Sequence, residues 1–329
     1  VADVLNKLGS KLEDLGLNSW QLRTLFALKK CRTSALGGHI DACDECGNIS
    51  ISYNSCRNRH CPKCQGRNRE DWIQTRETEL LPVPYFHVVF TLPEVLNKTA
   101  LHEPKMLYDI LFESAWETLQ TFGKNKNLQM GMIAVLHTWG QNLSLHPHLH
   151  CIVPGGGVDE NGAWKNIKND GKFLFSVKAL SKVFRAKFCE KLKANLKDKF
   201  NENQENEYGK IRQSLWEKPW VVYAKKPFGS PKSVVEYLGR YTHKIAISNG
   251  RIRGIDDKTV TFDYKDYRQK GIKKQMVLSH EEFIRRFAMH ILPKRFVKIR
   301  HYGFLSSTWK RIKLKNLQQK LGIQPKEKL

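Results

Sequence analysis

Short apolar runs alternate with longer amphipathic stretches along this chain, and together they predict a mixture of strands and helices. The strand-like runs are rich in aromatic and β-branched residues, whereas the helical stretches repeat their apolar positions every three to four residues. This mixture predicts an α+β fold with an antiparallel-centred sheet. The predicted strands are PYFHVVFTL, MIAVLHTW, HLHCIVPGG, KFLFSV, WVVYA, IAISN, RIRGI and TVTFDY, with the second and third as a central hairpin and GGG at 155–157 as a turn. Helices are predicted before residue 31, in GRNREDWIQTRETELL, over 102–122 and 178–198, and at the basic C-terminus.

The chain is strongly basic. Its 329 residues include 56 Lys and Arg against 32 Asp and Glu, a formal net charge of +24, and the segment 285–329 alone holds 13 cations and one acid, Glu327. Such a charge favours polyanions and salt-sensitive association. Charge alone also fits an RNA-binding or membrane-surface protein. No apolar run reaches the ~18 residues that a membrane span requires, and we expect neither a signal peptide nor a membrane partner.

Six of the eight cysteines fall between Cys31 and Cys64. Two Cys-x-x-Cys pairs separated by fourteen residues predict a four-thiolate zinc site made by Cys43, Cys46, Cys61 and Cys64. The other metal-binding residues of this segment could form a second zinc site, although two of them could instead be structural or contact DNA. These four residues are Cys31, His39, Cys56 and His60, and the last two have the alternative roles.

The string His-Pro-His-Leu-His carries the densest candidate chemistry. On a strand, alternate side chains share one face, so His148 and His150 project together, about 7 Å apart at the backbone. Two such imidazoles are close enough to share a metal ion. His137, on the partner strand of the predicted hairpin, is the first choice for a third ligand, and His146 and Gln141 are the competitors.

A second candidate segment begins at Ser230 and Pro231, which predict a helix start. Tyr237 and Tyr241 then lie four residues apart, on one helix face. Cationic groups surround them. Packing of one tyrosine in the core is the ordinary alternative to a role in chemistry.

Together these segments resemble the HUH endonuclease superfamily, and more closely the two-tyrosine rolling-circle transposases of the insertion sequence 91 family. The resemblance covers most of the chain from about Cys31 to Leu305. The strings that carry it are YNSCRNRHCPKCQ, LLPVPYFHVVFTLP, LHPHLHCIVPGGG, YLGRYTHKIAISN and LPKRFVKIRHYGFL. It implies an N-terminal zinc-binding module followed by a ferredoxin-like HUH endonuclease domain with a central antiparallel sheet.

The resemblance also implies an activity. Tyr237 and Tyr241 would be nucleophiles that nick and rejoin single-stranded DNA through a covalent 5′-phosphotyrosine, leaving a free 3′-OH. His148 and His150, with His137, would hold catalytic Mg²⁺ or Mn²⁺, while Zn²⁺ would be structural. The basic residues expected to contact DNA are Arg57, Arg59, Lys63, Arg67, Arg240 and Lys244.

The expected partners follow from the same resemblance. They are the single-stranded or hairpin ends of a mobile element and a host helicase or replication machinery, in a bacterial cytoplasm and associated with the nucleoid. GGG at 155–157 lacks the Lys-Ser/Thr of a phosphate-binding loop, so no nucleotide cofactor is expected. We expect three segments: the cysteine-rich module over 1–80, the endonuclease core over 81–290 and a basic extension over 291–329.

Three other functions remain open from the sequence. A plasmid replication initiator or relaxase would use the same chemistry on a different target. A non-catalytic zinc-dependent DNA-binding protein would not need its histidines or tyrosines. A metallo-phosphoesterase would use water as the nucleophile and leave no covalent adduct.

Overall fold

The computed structural model describes residues 1–167, 174–196, 202–225 and 231–322. The backbone forms two compact units, each made of three stretches of chain. The cysteine unit comprises Val1–Arg69, Thr138–Leu145 and His243–Lys294, and the sheet unit comprises Glu70–His137, His146–Thr242 and the chain from Arg295. This division differs from the three consecutive segments expected from the sequence.

The elements of the described residues are numbered in chain order. The strands are β1 Gly38–Ala42, β2 Ile49–Tyr53, β3 Tyr85–Thr91, β4 Gly131–Trp139, β5 Leu145–Pro154, β6 Gly156–Val158, β7 Trp164–Asn166, β8 Val222–Lys225, β9 Ile252–Ile255, β10 Thr259–Asp266, β11 Ile272–Ser279 and β12 Ile299–Gly303. The helices are α1 Ala2–Leu8, α2 Ser19–Lys30, α3 Gln65–Glu77, α4 Asn97–His102, α5 Pro104–Lys124, α6 Val177–Leu196, α7 Glu202–Glu217, α8 Pro231–Thr242, α9 His280–Ala288, α10 Ser307–Trp309 and α11 Lys315–Lys320.

A five-stranded antiparallel sheet forms the centre of the larger unit, with strand order β12-β4-β5-β3-β8. The three middle strands are the apolar runs expected as strands, and they are buried along nearly their whole length. β3 pairs with β5 on one side and with β8 on the other. The fold is therefore α+β with a central antiparallel sheet, as the sequence predicted.

Apolar side chains cover both faces of this sheet. On one face Phe90 packs against Phe184 of α6, with ring centroids 4.9 Å apart. On the other face Val234 of α8 lies in a buried cluster with Tyr85 and Ile152. Because burial of apolar area drives such packing, Val234 helps to hold α8 beside the sheet.

The cysteine unit has its own core. α1, α2 and α9 bury leucines and phenylalanines against the three-stranded sheet β11-β10-β9. Asn18 and Gln21 form a reciprocal capping box at the start of α2, and Ser279 caps α9. β1 and β2 form a separate hairpin whose residues are mostly exposed.

Several local expectations need correction. IAISN is not a strand, whereas the lysine-rich segment Ile272–Ser279 is, because strand pairing with β10 outweighs its weak alternation. GGG is not a turn: Gly156 begins β6, where a Cβ would collide with the Lys165 backbone. KFLFSV falls partly outside the described residues, and Val177 already begins α6. Among the described residues, no helix is both long and apolar enough to cross a membrane.

Candidate catalytic site and cysteine cluster

Three histidines from one face of the sheet converge at the β4–β5 hairpin. The ligand atoms of His137, His148 and His150 all lie within 4.8 Å of one another. The ring centroids of His137 and His150 are 4.5 Å apart, and those of His148 and His150 are 4.9 Å apart. His137 and His150 are buried, and His148 is half-buried. The candidate ligands from the sequence are thus brought together.

Hydrogen bonding orients His148, the half-buried member of this set. His148 Nδ1 donates to the carbonyl oxygen of His146, at 2.6 Å. With the proton on Nδ1, the lone pair of the neutral ring lies on Nε2, which is the usual arrangement of ligand histidines. Metal–imidazole bonds are about 2.0–2.1 Å long, so three nitrogens at this spacing fit one ion. Imidazole suits transition metals such as iron, nickel, copper and zinc better than Mg²⁺, which prefers oxygen ligands.

His146 and Gln141 are the two competitors for the third ligand position. His146 is exposed, and its ring centroid is 5.1 Å from that of His148. It is not part of the three-histidine group found among the described residues. Gln141 belongs to the cysteine unit, where its carbonyl oxygen accepts a hydrogen bond from Arg251.

A fourth histidine, His87 on β3, adjoins this set and was missed from the sequence. Its Nε2 lies 2.8 Å from His150 Nδ1, and the two rings stack at an interplanar angle of 6°. Burial, together with the charge of Lys225, lowers the pKa of His87 to about 4. The imidazole is therefore neutral near pH 7. One signal was available: His87 interrupts an otherwise apolar buried run, and buried polar groups need partners.

Tyr237 joins the histidines through His87. The Tyr237 hydroxyl oxygen lies 3.4 Å from His87 Nδ1, and its ring meets the His87 ring edge-on at a centroid distance of 5.1 Å. Lys225 Nζ lies 5.7 Å from the centre of the tyrosine ring. Val234, one turn earlier on α8, is buried at the sheet and fixes this part of the helix.

The rest of the tyrosine helix can be described by its backbone alone. α8 begins at Pro231, as its sequence predicted, and it includes Tyr241 and Arg240. The side chains of those two residues, and the whole of Ser230, lie outside the described residues.

The cysteine unit brings four thiols together. The Sγ atoms of Cys31 and Cys64 are 3.5 Å apart, and those of Cys56 and Cys64 are 3.7 Å apart. Cys61 completes a group whose sulfur atoms all lie within 4.8 Å. Four thiolates at about 2.3 Å from one tetrahedral zinc ion would be about 3.8 Å apart, so the group fits zinc.

Two of the four thiols have raised pKa values. Hydrogen bonding with Cys56 raises the pKa of Cys61, and burial raises the pKa of Cys31. These two thiols are therefore protonated near pH 7 in the absence of a cation, and metal binding would release their protons.

The structure does not bring the expected ligands Cys43, Cys46, Cys61 and Cys64 into one group; Cys61 and Cys64 lie with Cys31 and Cys56 instead. The β1–β2 hairpin explains the difference, because Cys43 and Cys46 lie at its exposed tip. At its base, Arg32 N donates to the carbonyl oxygen of Asn54, which returns the chain to Cys31. The hairpin thus brings Cys31 and Cys56 to Cys61 and Cys64.

The residues of the possible second zinc site do not form one group either. Cys31 and Cys56 belong to the one thiol group, whereas His39 and His60 are not in it among the residues described. His39 is exposed on β1, with its Nε2 3.8 Å from an Asp41 carboxylate oxygen. The alternation of HID and ISISY around CDECGN is the signal that could have revealed the hairpin.

The structure describes the side chains of four of the six cations expected to contact DNA. Arg57, Lys63 and Lys244 are exposed, and Arg59 is half-buried. The Lys63 backbone is tied to the cluster because its carbonyl oxygen accepts from Arg32 Nη2. The side chains of Arg67 and Arg240 lie outside the described residues.

Comparisons with known proteins give the family. Residues 131–312, more than half of the chain, match the family described as "Putative transposase", and residues 4–92 match the "Transposase zinc-binding domain" of the insertion sequence 91 type. No solved structure matches.

Two curated relatives extend the match. "Putative transposase y4qJ" of Sinorhizobium fredii (strain NBRC 101917 / NGR234) is 43% identical over 336 residues, which cover 98% of this chain and 84% of the relative. "Transposase for insertion sequence element IS801" of Pseudomonas savastanoi pv. phaseolicola is 29% identical over 306 residues, which cover 90% of this chain and 73% of the relative. The chain therefore belongs to the insertion sequence 91 family of transposases and carries the zinc-binding domain of that family.

Proposed function

We propose that this transposase nicks and rejoins single-stranded DNA through a covalent 5′-phosphotyrosine, with Tyr237 and Tyr241 as nucleophiles in rolling-circle transposition. One observation carries the proposal. The Tyr237 hydroxyl lies 3.4 Å from His87, which in turn lies 2.8 Å from a member of the three-histidine group. A candidate nucleophile is thus linked to a candidate metal site by two side-chain contacts. A weak nucleophile such as tyrosine needs activating groups of this kind nearby.

The three histidines suit a catalytic divalent cation. His137, His148 and His150 would hold it, and the ion would polarise a phosphate oxygen and orient the scissile bond. The protein's own groups bind and orient the reactants. Lys225, beside the Tyr237 ring, adds positive charge near the developing anion.

The reaction exchanges one phosphoester bond for another. The tyrosine oxygen loses its proton to water and forms a bond to phosphorus. The bond from phosphorus to the DNA 3′ oxygen breaks, and its electron pair stays on that oxygen, which takes up a proton. Because the ester bond is conserved, a free 3′-OH can later attack the phosphotyrosine and rejoin DNA without ATP.

Two tyrosines allow two successive transfers by one protein. One residue can cleave the donor strand while the other remains available for the next strand. The DNA would be the single-stranded or hairpin end of the element, and a host helicase or replication machinery would separate the strands. The excess of Lys and Arg would bind the phosphate backbone.

The test uses end-labelled single-stranded oligonucleotides from the ends of the element, with Mn²⁺ or Mg²⁺, followed by denaturing electrophoresis. The wild-type protein should give a covalent protein–DNA band. Tyr237→Phe with Tyr241→Phe should abolish that band and retain DNA binding. Tyr267→Phe, an exposed tyrosine of the other unit, is the matched control and should behave as wild type.

Two results would contradict the proposal. Cleavage without an adduct would indicate water as the nucleophile, as in a metallo-phosphoesterase. Tight binding to correct end sequences with neither cleavage nor adduct would indicate a non-catalytic DNA-binding protein.

A further inference from the structure

His87 lies between the two groups that the proposed chemistry needs, and nothing in the family resemblance accounts for it. Its ring is 3% exposed and stacks on His150 with a centroid distance of 5.1 Å. Each of its two nitrogens faces a different residue: Nε2 faces His150 Nδ1 at 2.8 Å, and Nδ1 faces the Tyr237 hydroxyl at 3.4 Å.

The strand register explains this position. Val89 pairs with His150 and Thr91 pairs with His148 across the β3–β5 ladder. His87 has the same parity as Val89 and Thr91, so its side chain points to the same face as the two ligand histidines. It is the diagonal neighbour of His150, within reach of a long side chain.

The hydrogen-bond chain has one consistent direction when His150 binds a cation through Nε2. His150 Nδ1 then carries the proton and donates to His87 Nε2. A neutral His87 has its proton on the other nitrogen, so Nδ1–H donates to the Tyr237 oxygen. Both contacts thus follow from one tautomer.

We propose that His87 is a further catalytic residue of this transposase, which orients the metal ligand His150 through Nε2 and stabilises the Tyr237 oxygen through Nδ1–H. The inference rests on the proposed function for its second half. A donor held against the tyrosine oxygen stabilises negative charge there, both when tyrosine attacks phosphorus and when it leaves during rejoining. A partner fixed on the ligand histidine holds its ring in the geometry for metal binding.

Two substitutions separate the two contacts. The amide of His87→Asn reaches the position of Nδ1, so it can serve Tyr237 but not His150. The amide of His87→Gln reaches the position of Nε2, so it can serve His150 but not Tyr237. Phe90→Leu, on the opposite face of β3, is the control for a merely structural effect, because it removes packing against Phe184 and leaves both contacts.

Each zinc-loaded, full-length variant is measured in two ways. Mn²⁺ affinity is measured by titration without DNA, and the single-turnover rate of adduct formation is measured at saturating Mn²⁺. His87→Asn should weaken Mn²⁺ binding by about 10–100-fold and keep the saturated rate within about tenfold of wild type. His87→Gln should keep the Mn²⁺ affinity within about threefold of wild type and lower the saturated rate by about 100-fold.

The outcomes are distinct. The assignment would be overturned if His87→Asn and His87→Gln changed the Mn²⁺ affinity and the adduct rate equally, or changed neither. It would also be overturned if Phe90→Leu changed them in the same way as either His87 variant. If the wild-type protein forms no adduct, the proposed function fails, and the assigned role toward Tyr237 fails with it. The Mn²⁺ titration still decides the role toward His150, because it does not depend on activity.

Discussion

Cys31 Sγ lies 3.5 Å from Cys64 Sγ, although the two cysteines are 33 positions apart in the chain. Replacing Cys31 or Cys64 by Ser should therefore release bound zinc and unfold the cysteine-rich region, because structural zinc contributes folding free energy directly. Zinc content by elemental analysis and amide hydrogen exchange over residues 1–69 would measure both effects.

Cys43→Ser and Cys46→Ser are the matched controls, since both residues are exposed at the hairpin tip. These variants should retain the zinc that Cys31→Ser loses. Loss of that zinc from Cys43→Ser, with retention in Cys31→Ser, would restore the pairing that the spacing of the motifs first suggested.

The three-histidine group predicts which residues metal-dependent cleavage needs. His148→Ala or His150→Ala should lower the cleavage rate by about 100-fold or more, because each removes a proposed metal ligand. His146→Ala should stay within about threefold of wild type, since the backbone carbonyl that accepts the hydrogen bond from His148 Nδ1 is retained in the variant. Equal losses in all three variants would contradict this ligand set.

Local sequence patterns predicted much of the sheet and the grouping of its histidines. The apolar runs around His137 and His150 are long enough to identify adjacent strands, and alternation places His148 beside His150. The start of the tyrosine helix follows from a proline at its first position.

Contacts between distant segments could not be predicted in this way. Motif spacing pairs Cys43 with Cys46 but carries no information about the hairpin that separates them from Cys61. His87 lies within an apolar run, and its own segment does not show which residue it contacts. The β3–β5 register that aims it at His150 is a tertiary property.

Buried His290 should make the stability of the cysteine unit depend on pH. Burial lowers its pKa to about 4 in the folded protein, against about 6.5 for a free side chain. Between those values the unfolded chain binds the proton and the folded chain does not, so stability falls as pH falls below about 6.5. From pH 7 to pH 5 the loss should be about 2 kcal/mol.

The measurement is chemical denaturation of the His290→Gln variant and wild type at pH 7 and pH 5. The variant should show a smaller pH dependence, and the exposed His102→Gln is its control. An unchanged pH dependence in His290→Gln would argue against a role for this group.

Gly303, at the end of the edge strand β12, should not tolerate a side chain. Its φ is +59°, and an added Cβ would collide with the backbone carbonyl of Met130 and with the Trp116 ring. Gly303→Ala should lower the free energy of unfolding by more than about 1 kcal/mol. Gly254→Ala is the control, since no atom lies within 4 Å of its added Cβ. Thermal denaturation of both variants would show whether only the first is destabilised.

DNA binding should weaken steeply as salt rises, because the chain carries 56 Lys and Arg against 32 Asp and Glu. For a single strand, log K should fall by about 0.7 per log unit of salt for each neutralised phosphate. Fluorescence anisotropy with a labelled oligonucleotide at several salt concentrations would give the slope. A flat response would mean that backbone charge contributes little to binding.

The mass of the DNA-linked peptide is the most direct test of tyrosine as the nucleophile. The adduct formed on a single-stranded end sequence would be digested with nuclease and protease, and the nucleotide-bearing peptide would be sequenced by tandem mass spectrometry. We expect a 5′-nucleotide phosphate on Tyr237 or Tyr241, and a free 3′-OH on the released strand. A nucleotide on any other residue, or cleaved DNA with no linked peptide, would contradict it.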